Sequence, residues 1–279
     1  MDWLDALILG IVQGLAEYLP ISSSGHLEIC REILGLKLAG AEALEFDAAL
    51  HVATVLSTLV VLWREFVPLC TSFFTMRRDE RTVYVWKILL SCVPVAIIGL
   101  AFKPVVESFF GSGLTIVGTC LIITAGLLAF ASYRRRAGDV DTAPKDPDDP
   151  EGYRSITWFT ALAMGVAQAI AILPGLSRSG TTIATGLTLG GRPAQVAKFS
   201  FFMVVIPILG EAILSIMDMA EGTSAMATGV GIVPLAIGFV AAFLVGCAAC
   251  RWMIDIVKRG KLQWFAVYCV VVGLICLIW

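Results

Sequence analysis

The sequence predicts an all-α integral membrane protein, an inverted-topology repeat of six transmembrane helices plus two re-entrant helix–loop–helix hairpins. Three observations predict it. The first is composition: of 279 residues 58% are apolar and 15% charged, with a mean hydropathy of +0.87. Soluble chains are about half apolar and a quarter charged. The second is a series of uncharged runs approaching the ~20 residues that cross a hydrocarbon core. The third is an internal repeat. Gly10-Ile-Val-Gln13 returns as Gly165-Val-Ala-Gln168, and Ser22-Ser-Ser-Gly25 as Ser177-Arg-Ser-Gly180, all at an offset of 155.

The elements follow in order. Repeat 1, residues 1–133, opens with an apolar stretch at 3–36 that Pro, Ser and Gly break at 20–25; runs at 48–63, 88–102 and 108–133 follow. Residues 134–154 hold eleven charged residues and three prolines in 21 positions, which reads as a charged cytoplasmic linker. Repeat 2, residues 155–279, opens with a stretch at 155–191 broken at 174–180, then runs at 199–217, 222–250 and 262–279. Glu211, inside the first of these runs, is expected near an interface. No half of a broken stretch comfortably spans a bilayer. Each therefore reads as a re-entrant hairpin, whose open backbone is tolerated at depth only inside protein or beside a wet cavity.

Lys and Arg set the orientation. Segments 64–82, 134–154, 192–198 and 251–261 hold 15 of them, and the alternate segments 31–45, 103–107 and 218–228 hold three. The first set is placed in the cytoplasm, which puts both termini outside. The first hairpin then enters from outside and the second from inside. One hairpin and three spans invert the second copy, so the two broken loops meet near the middle.

Composition also excludes readings. A net charge of −2 shows no basic excess for nucleic acid. Cys92, Cys120, Cys247, Cys250, Cys269 and Cys276 lie in apolar runs and read as small hydrophobes, not as a disulfide framework. The Cys247-x-x-Cys250 pair has no second pair, so a redox or metal role is set aside. The acidic start, Met1-Asp2-Trp3-Leu4-Asp5, argues against a cleavable signal.

Chemistry is expected at the loops. In the first, Gln13 and Glu17 share one helix face, Pro20 ends the helix, and Ser22, Ser23, Ser24 and Gly25 open the next, ahead of His26. Free N–H groups at such a helix start suit an anion. A carboxylate at membrane depth, costing at least ~2.5–3.5 kcal/mol, is a functional hypothesis by default. Packing against polar backbone is the bland alternative for Glu17. In the second loop, Pro174-Gly-Leu-Ser177-Arg178-Ser179-Gly180-Thr-Thr182, Arg178 is the only basic residue between Arg154 and Arg192. Its guanidinium fork, the hydroxyls and a helix start suit phosphate; capping the partner loop is its structural alternative. Glu17 would hold a hard cation, Mg²⁺ or Ca²⁺, or act as a base, with Gln13 a weaker candidate ligand. His51 reads as lining a pocket or core.

At these residues the chain resembles the undecaprenyl-diphosphate phosphatases of the bacitracin-resistance type. The resemblance rests on Gln13-x-x-x-Glu17-Tyr-Leu-Pro-Ile-Ser-Ser-Ser-Gly-His26, on Pro174-Gly-Leu-Ser-Arg-Ser-Gly-Thr-Thr182 and on Phe46-Asp-Ala-Ala-Leu-His51, and it covers nearly the whole chain. It implies removal of the terminal phosphate from undecaprenyl diphosphate at the outer side of the bacterial cytoplasmic membrane. That would recycle the cell-wall lipid carrier and confer bacitracin resistance. It implies a divalent cation, a polyprenyl diphosphate as substrate, no nucleic acid, and a second copy of the chain as a candidate partner. The implied catalytic residues are Glu17, Ser23, His26 and Arg178, with Ser23, His26 or a water as the attacking group and His26 as general acid or base. Ser22, Ser24, Gly25, Ser177, Ser179, Gly180 and Thr182 would bind phosphate. Gln13 stands where many relatives have a first acid, and an amide is no base. A lipid carrier or flippase is the competing class, since broken inverted repeats also build transporters. The extra carboxylate of Glu17, with Ser23 and His26, favours the enzyme.

Overall fold

The computed structural model describes residues 1–36, 40–102, 113–137, 149, 152–220 and 230–279. Every regular element among them is helical. In chain order these are α1 (Trp3–Ala16), α2 (Ser23–Leu34), α3 (Gly40–Val61), α4 (Trp63–Phe74), α5 (Glu80–Ala101) and α6 (Leu114–Ala137). After a short 3₁₀ turn (Tyr153–Ser155) come α7 (Trp158–Ile170), α8 (Arg178–Thr188), α9 (Pro193–Met203), α10 (Val205–Ala220), α11 (Ile232–Lys258) and α12 (Gln263–Ile278).

The helix starts are written in the sequence. Asp2 caps α1 by accepting from the N–H groups of Leu4 and Asp5, and the Asp5 carboxylate returns to the Asp2 N–H. Asp79 caps α5 through the Thr82 N–H at 2.9 Å. Gly35 ends α2 at φ +65°, a left-handed conformation that glycine adopts without strain.

Both broken stretches are pairs of short helices. α1 and α2 have 14 and 12 residues, α7 and α8 have 13 and 11. At 1.5 Å per residue none reaches the ~30 Å of a hydrocarbon core. Among the described residues four helices are long and apolar enough to cross: Glu80–Ala101, Leu114–Arg134, Pro193–Ile213 and Ile232–Lys258. A fifth crossing is reached if α3 and α4 count as one broken span, bent by 87°. The sequence leads to six, and α12, with 16 residues, falls short of that length. The linker positions 138–148 and 150–151 and residues 221–229 lie outside the described residues, as do Lys37 and Lys103. One element departs from expectation. Residues within 64–82 read as a basic loop, yet 63–74 form α4, with Pro68 inside it.

The two halves interlock. α1 packs along α11 and α7 along α5, so the opening helix of each hairpin lies on a helix of the other half. α6 pairs with α12, and α3 lies against α10 and α11. Small residues let the backbones approach. A Cβ on Gly10 would stand 2.3 Å from the Gly238 carbonyl, one on Gly14 2.8 Å from the Ala242 carbonyl, and one on Gly165 2.5 Å from the Ser91 carbonyl. These crossings bring the breaks at 17–22 and 171–177 face to face.

Candidate functional site

Glu17 caps the C-terminal end of the first hairpin helix, its N–H bonded to the Gln13 carbonyl at 3.0 Å. Helical spacing then places the fully buried Gln13 amide beside it, and Gln13 Nε2 donates to Glu17 Oε2 at 2.9 Å. The chain turns through Pro20 and restarts at Ser22. Ser22 caps α2 by accepting from the Gly25 N–H at 3.3 Å, and its own φ is +71°. As the first residue of α2, Ser23 donates its hydroxyl to Glu17 Oε2 at 2.7 Å.

The second loop repeats the cap. Ser177 accepts from the Gly180 N–H at 3.0 Å, and Ser177 and Ser179 hydroxyls lie 3.4 Å apart, as those of Ser22 and Ser24 do. Thr124 of α6 holds the Ser177 N–H at 3.1 Å. Ser179 then donates to the Leu19 carbonyl at 3.1 Å, which ties the two loops together. Their backbones nearly touch: a Cβ on Gly25 would meet the Gly175 Cα at 3.1 Å. Arg178, first residue of α8, brings its Nη2 to 3.5 Å from Glu17 Oε1. Thr182 lies behind it, bonded to the Arg178 carbonyl at 2.8 Å and to Ser200 at 2.7 Å.

The result is a small cleft between the loops, lined by Glu17, the three serines of the first cap, His51, Ser177, Arg178 and Ser179. A second cleft shares Glu17 and Arg178 and runs past Tyr18, Thr54 and Ser200 toward α3 and α9. The Glu17 side chain is 9% exposed and Arg178 27%, so the carboxylate is enclosed while the guanidinium reaches open space. Two helix starts converge on that space, each adding partial positive charge. The arrangement offers a hydroxyl already bonded to a carboxylate, beside a guanidinium free to take a second anion.

Of the expected residues, Gln13, Glu17, Ser23 and Arg178 stand in direct contact, with Ser22, Ser24, Ser177 and Ser179 around them. Gly25 and Gly180 contribute the capped N–H groups, and Thr182 touches the Arg178 backbone. His26 is turned elsewhere: its Nε2 is 2.7 Å from the Tyr268 hydroxyl of α12. His51 takes a place beside the acid instead. Its Nδ1 donates to the Asp47 carbonyl at 2.8 Å, and its Nε2 lies 3.4 Å from Glu17 Oε2. Asp47 in turn forms an ion pair with Arg31 of α2. The His51 neighbourhood was flagged by the Phe46–His51 match, but nothing in the sequence pointed to Tyr268 or Thr124.

For a cation, the donors are few. Among the described residues no cluster of three or more His, Cys, Asp or Glu could hold a metal ion. Gln13 Oε1 is buried without a hydrogen-bond partner among them, and it stands one turn from the Glu17 carboxylate. Gln13 turns its Nε2 to Glu17 and lines neither cleft, so the Glu17 carboxylate, with phosphate and water, is what would hold a hard cation there.

A family model described as "Bacitracin resistance protein BacA" matches residues 6–275. An undecaprenyl-diphosphatase of Parabacteroides distasonis is 50% identical over 275 residues, 99% of this chain and 97% of that protein. One from Bacteroides fragilis is 49% identical over 278 residues, covering 100% and 98%. One from Methanobrevibacter smithii is 33% identical over 288 residues, covering 99% and 96%. These matches run through both loops and every helix between them, in a chain whose apolar helices make it a multi-pass membrane protein. The chain belongs to the bacitracin resistance protein BacA family.

Proposed function

We propose that the protein hydrolyses undecaprenyl diphosphate to undecaprenyl phosphate and inorganic phosphate. The observation that carries this reading is the Ser23 hydroxyl donating to Glu17 at 2.7 Å with Arg178 on the other carboxylate oxygen. Arg178 grips the terminal phosphate through its fork, aided by the serine hydroxyls and the two helix starts. Ser23, or a water held in its place, attacks phosphorus in line. The proton of the attacking group passes to Glu17, and the prenyl phosphate leaves with the electron pair of the broken P–O bond. Where Ser23 attacks, a water then cleaves the phosphoserine P–O bond, which restores the serine hydroxyl and releases inorganic phosphate. Electrostatic stabilisation of the phosphoryl oxygens should dominate the rate. A Mg²⁺ or Ca²⁺ held by Glu17 would supply positive charge that offsets part of the diphosphate's.

The site is read as opening to the outer side of the cytoplasmic membrane, with both termini there, six crossings and two hairpins inverted with respect to each other. The 15-to-3 distribution of Lys and Arg and the offset of 155 between loops support this topology. In a cell the reaction would recycle the cell-wall lipid carrier and confer bacitracin resistance. A carrier for the same lipid would need Arg178 and the loops, but gains nothing from a hydroxyl aligned on a buried acid. The test is phosphate release from undecaprenyl diphosphate by detergent-purified protein. Wild type should release it. Ser23→Ala turning over at the wild-type rate would remove the serine as nucleophile, and no release by the wild type would overturn the reading.

A further inference from the structure

Both ring nitrogens of His26 are committed. Nδ1 lies 2.8 Å from the Ser22 carbonyl, an oxygen that only accepts, so Nδ1 carries the proton. Nε2 is then the acceptor, and the Tyr268 hydroxyl donates to it at 2.7 Å. The two rings stack with centroids 5.6 Å apart and planes 16° from parallel. Neither nitrogen is left to face Ser23 or Glu17.

What these bonds hold is the turn. Ser22 stands at φ +71°, ψ 103°, a strained conformation that L side chains rarely adopt. Its carbonyl receives two bonds from His26, from the backbone N–H at 3.1 Å and from Nδ1. The dihedrals of Ser22 set where Ser23 begins α2, and with it the 2.7 Å contact to Glu17. The second loop makes the same bond with a side chain that cannot titrate near neutrality: Thr181, at the position equivalent to His26, donates to the Ser177 carbonyl at 2.8 Å. There the cap residue has an ordinary φ of −70°, and Thr181 also donates to the Arg178 carbonyl at 3.1 Å within its own helix. The first loop, with the unfavourable φ, has the longer side chain and a prop from α12. Beside that prop, Cys269 Sγ contacts the Pro20 carbonyl at 3.5 Å.

We propose that His26 and Tyr268 are positioning residues. Together they brace the Ser22 turn so that the Ser23 hydroxyl stays on Glu17, and proton transfer belongs to Glu17. This rests on the hydrolase reading above and assigns His26 a role other than general acid or base. It also makes the last helix of one half set the geometry of the first loop of the other.

The test compares wild type, His26→Ala, His26→Gln, Tyr268→Phe and the double variant His26→Ala/Tyr268→Phe, purified in detergent, on undecaprenyl diphosphate. Tyr268→Phe keeps the stack and loses one hydrogen bond, so kcat should fall by roughly tenfold with KM within about twofold. The glutamine amide can still donate to the Ser22 carbonyl, so His26→Gln should recover about tenfold or more over His26→Ala. Its kcat should keep both limbs of the wild-type pH profile. The double variant should be no slower than His26→Ala. A limb missing from the His26→Gln profile, or a wild-type rate for Tyr268→Phe, would overturn the brace. If the wild type releases no phosphate, the hydrolase reading falls, and hydrogen exchange decides the brace on its own. Amides 22–26 should then exchange faster in Tyr268→Phe than in wild type, and unchanged exchange would overturn it.

Discussion

Oxygen Oε2 of Glu17 takes hydrogen bonds from Gln13 and Ser23, while Oε1 faces Arg178. Every one of these contacts depends on the charge of a single carboxylate. Glu17→Gln keeps the shape and removes the charge, so phosphate release should drop by at least about 10²-fold, the loss typical of one missing transition-state group. Circular dichroism and elution volume should stay those of wild type, and the response to added Mg²⁺ should weaken. Arg178→Lys tests the fork. Lysine keeps the charge but offers no planar pair of donors, so kcat/KM should fall nearly as far as in Arg178→Ala, by about 10²-fold or more. Recovery of most of the activity would reduce Arg178 to a counter-charge. Glu17, Ser23 and Arg178 were legible because local rules place them, an i,i+4 pair on a helix and a serine cap written twice. Tyr268 was not. Tyr268 meets a histidine 242 residues away, and a polar ring in an apolar helix does not disclose which face it presents.

Among the helices, the crossings are set by glycine. α1 rests on α11 through Gly10 and Gly14, against Gly238, Ala242 and Gly246. A methyl group at Gly10 would lie 2.3 Å from the Gly238 carbonyl, backbone that cannot swing aside. Gly10→Ala should therefore destabilise the protein by about 1–3 kcal/mol, read as a fall in the unfolding temperature in detergent. Gly126 of α6 is the control, since nothing lies within 4 Å of its added Cβ. There alanine should stabilise the helix, by up to about 1 kcal/mol. An equal response at the two sites would show that propensity, not contact, governs. Long apolar helices were easy to read because each must cover the hydrocarbon core from its own sequence. α4 was not: its arginine and glutamate mark it as solvated, and only the turn at Leu62 sends it off at 87° to α3 as a helix.

At the scale of the molecule, orientation follows from where positive charge accumulates. On the proposed orientation Arg78, exposed between α4 and α5, would lie in the cytoplasm, and Glu32, exposed near the end of α2, outside. In a background without the eight native cysteines, Glu32→Cys should react with an impermeant maleimide in intact cells. Arg78→Cys should react only after the membrane is opened. Labelling of Arg78→Cys from outside would reverse the orientation and the side from which the substrate is taken. The interlocking of the halves was foreshadowed by the repeat alone, but which helices would pair was not, because side-chain volumes at each crossing decide it.

The offset of 155 sets Ser23 and Arg178 at equivalent positions, each the first residue after its cap, and sets Glu17 opposite Ile172. A single ancestral sequence cannot have held both members of either pair. On the proposed hydrolase reading, one copy holds nucleophile and acid, the other the anion grip. Activity is thus a property of the pairing, in the way a heterodimer's would be. Residues 1–144 and 145–279 produced as separate chains should each be inactive. Expressed together they should assemble and restore phosphate release, and activity in either fragment alone would show that the labour was never divided.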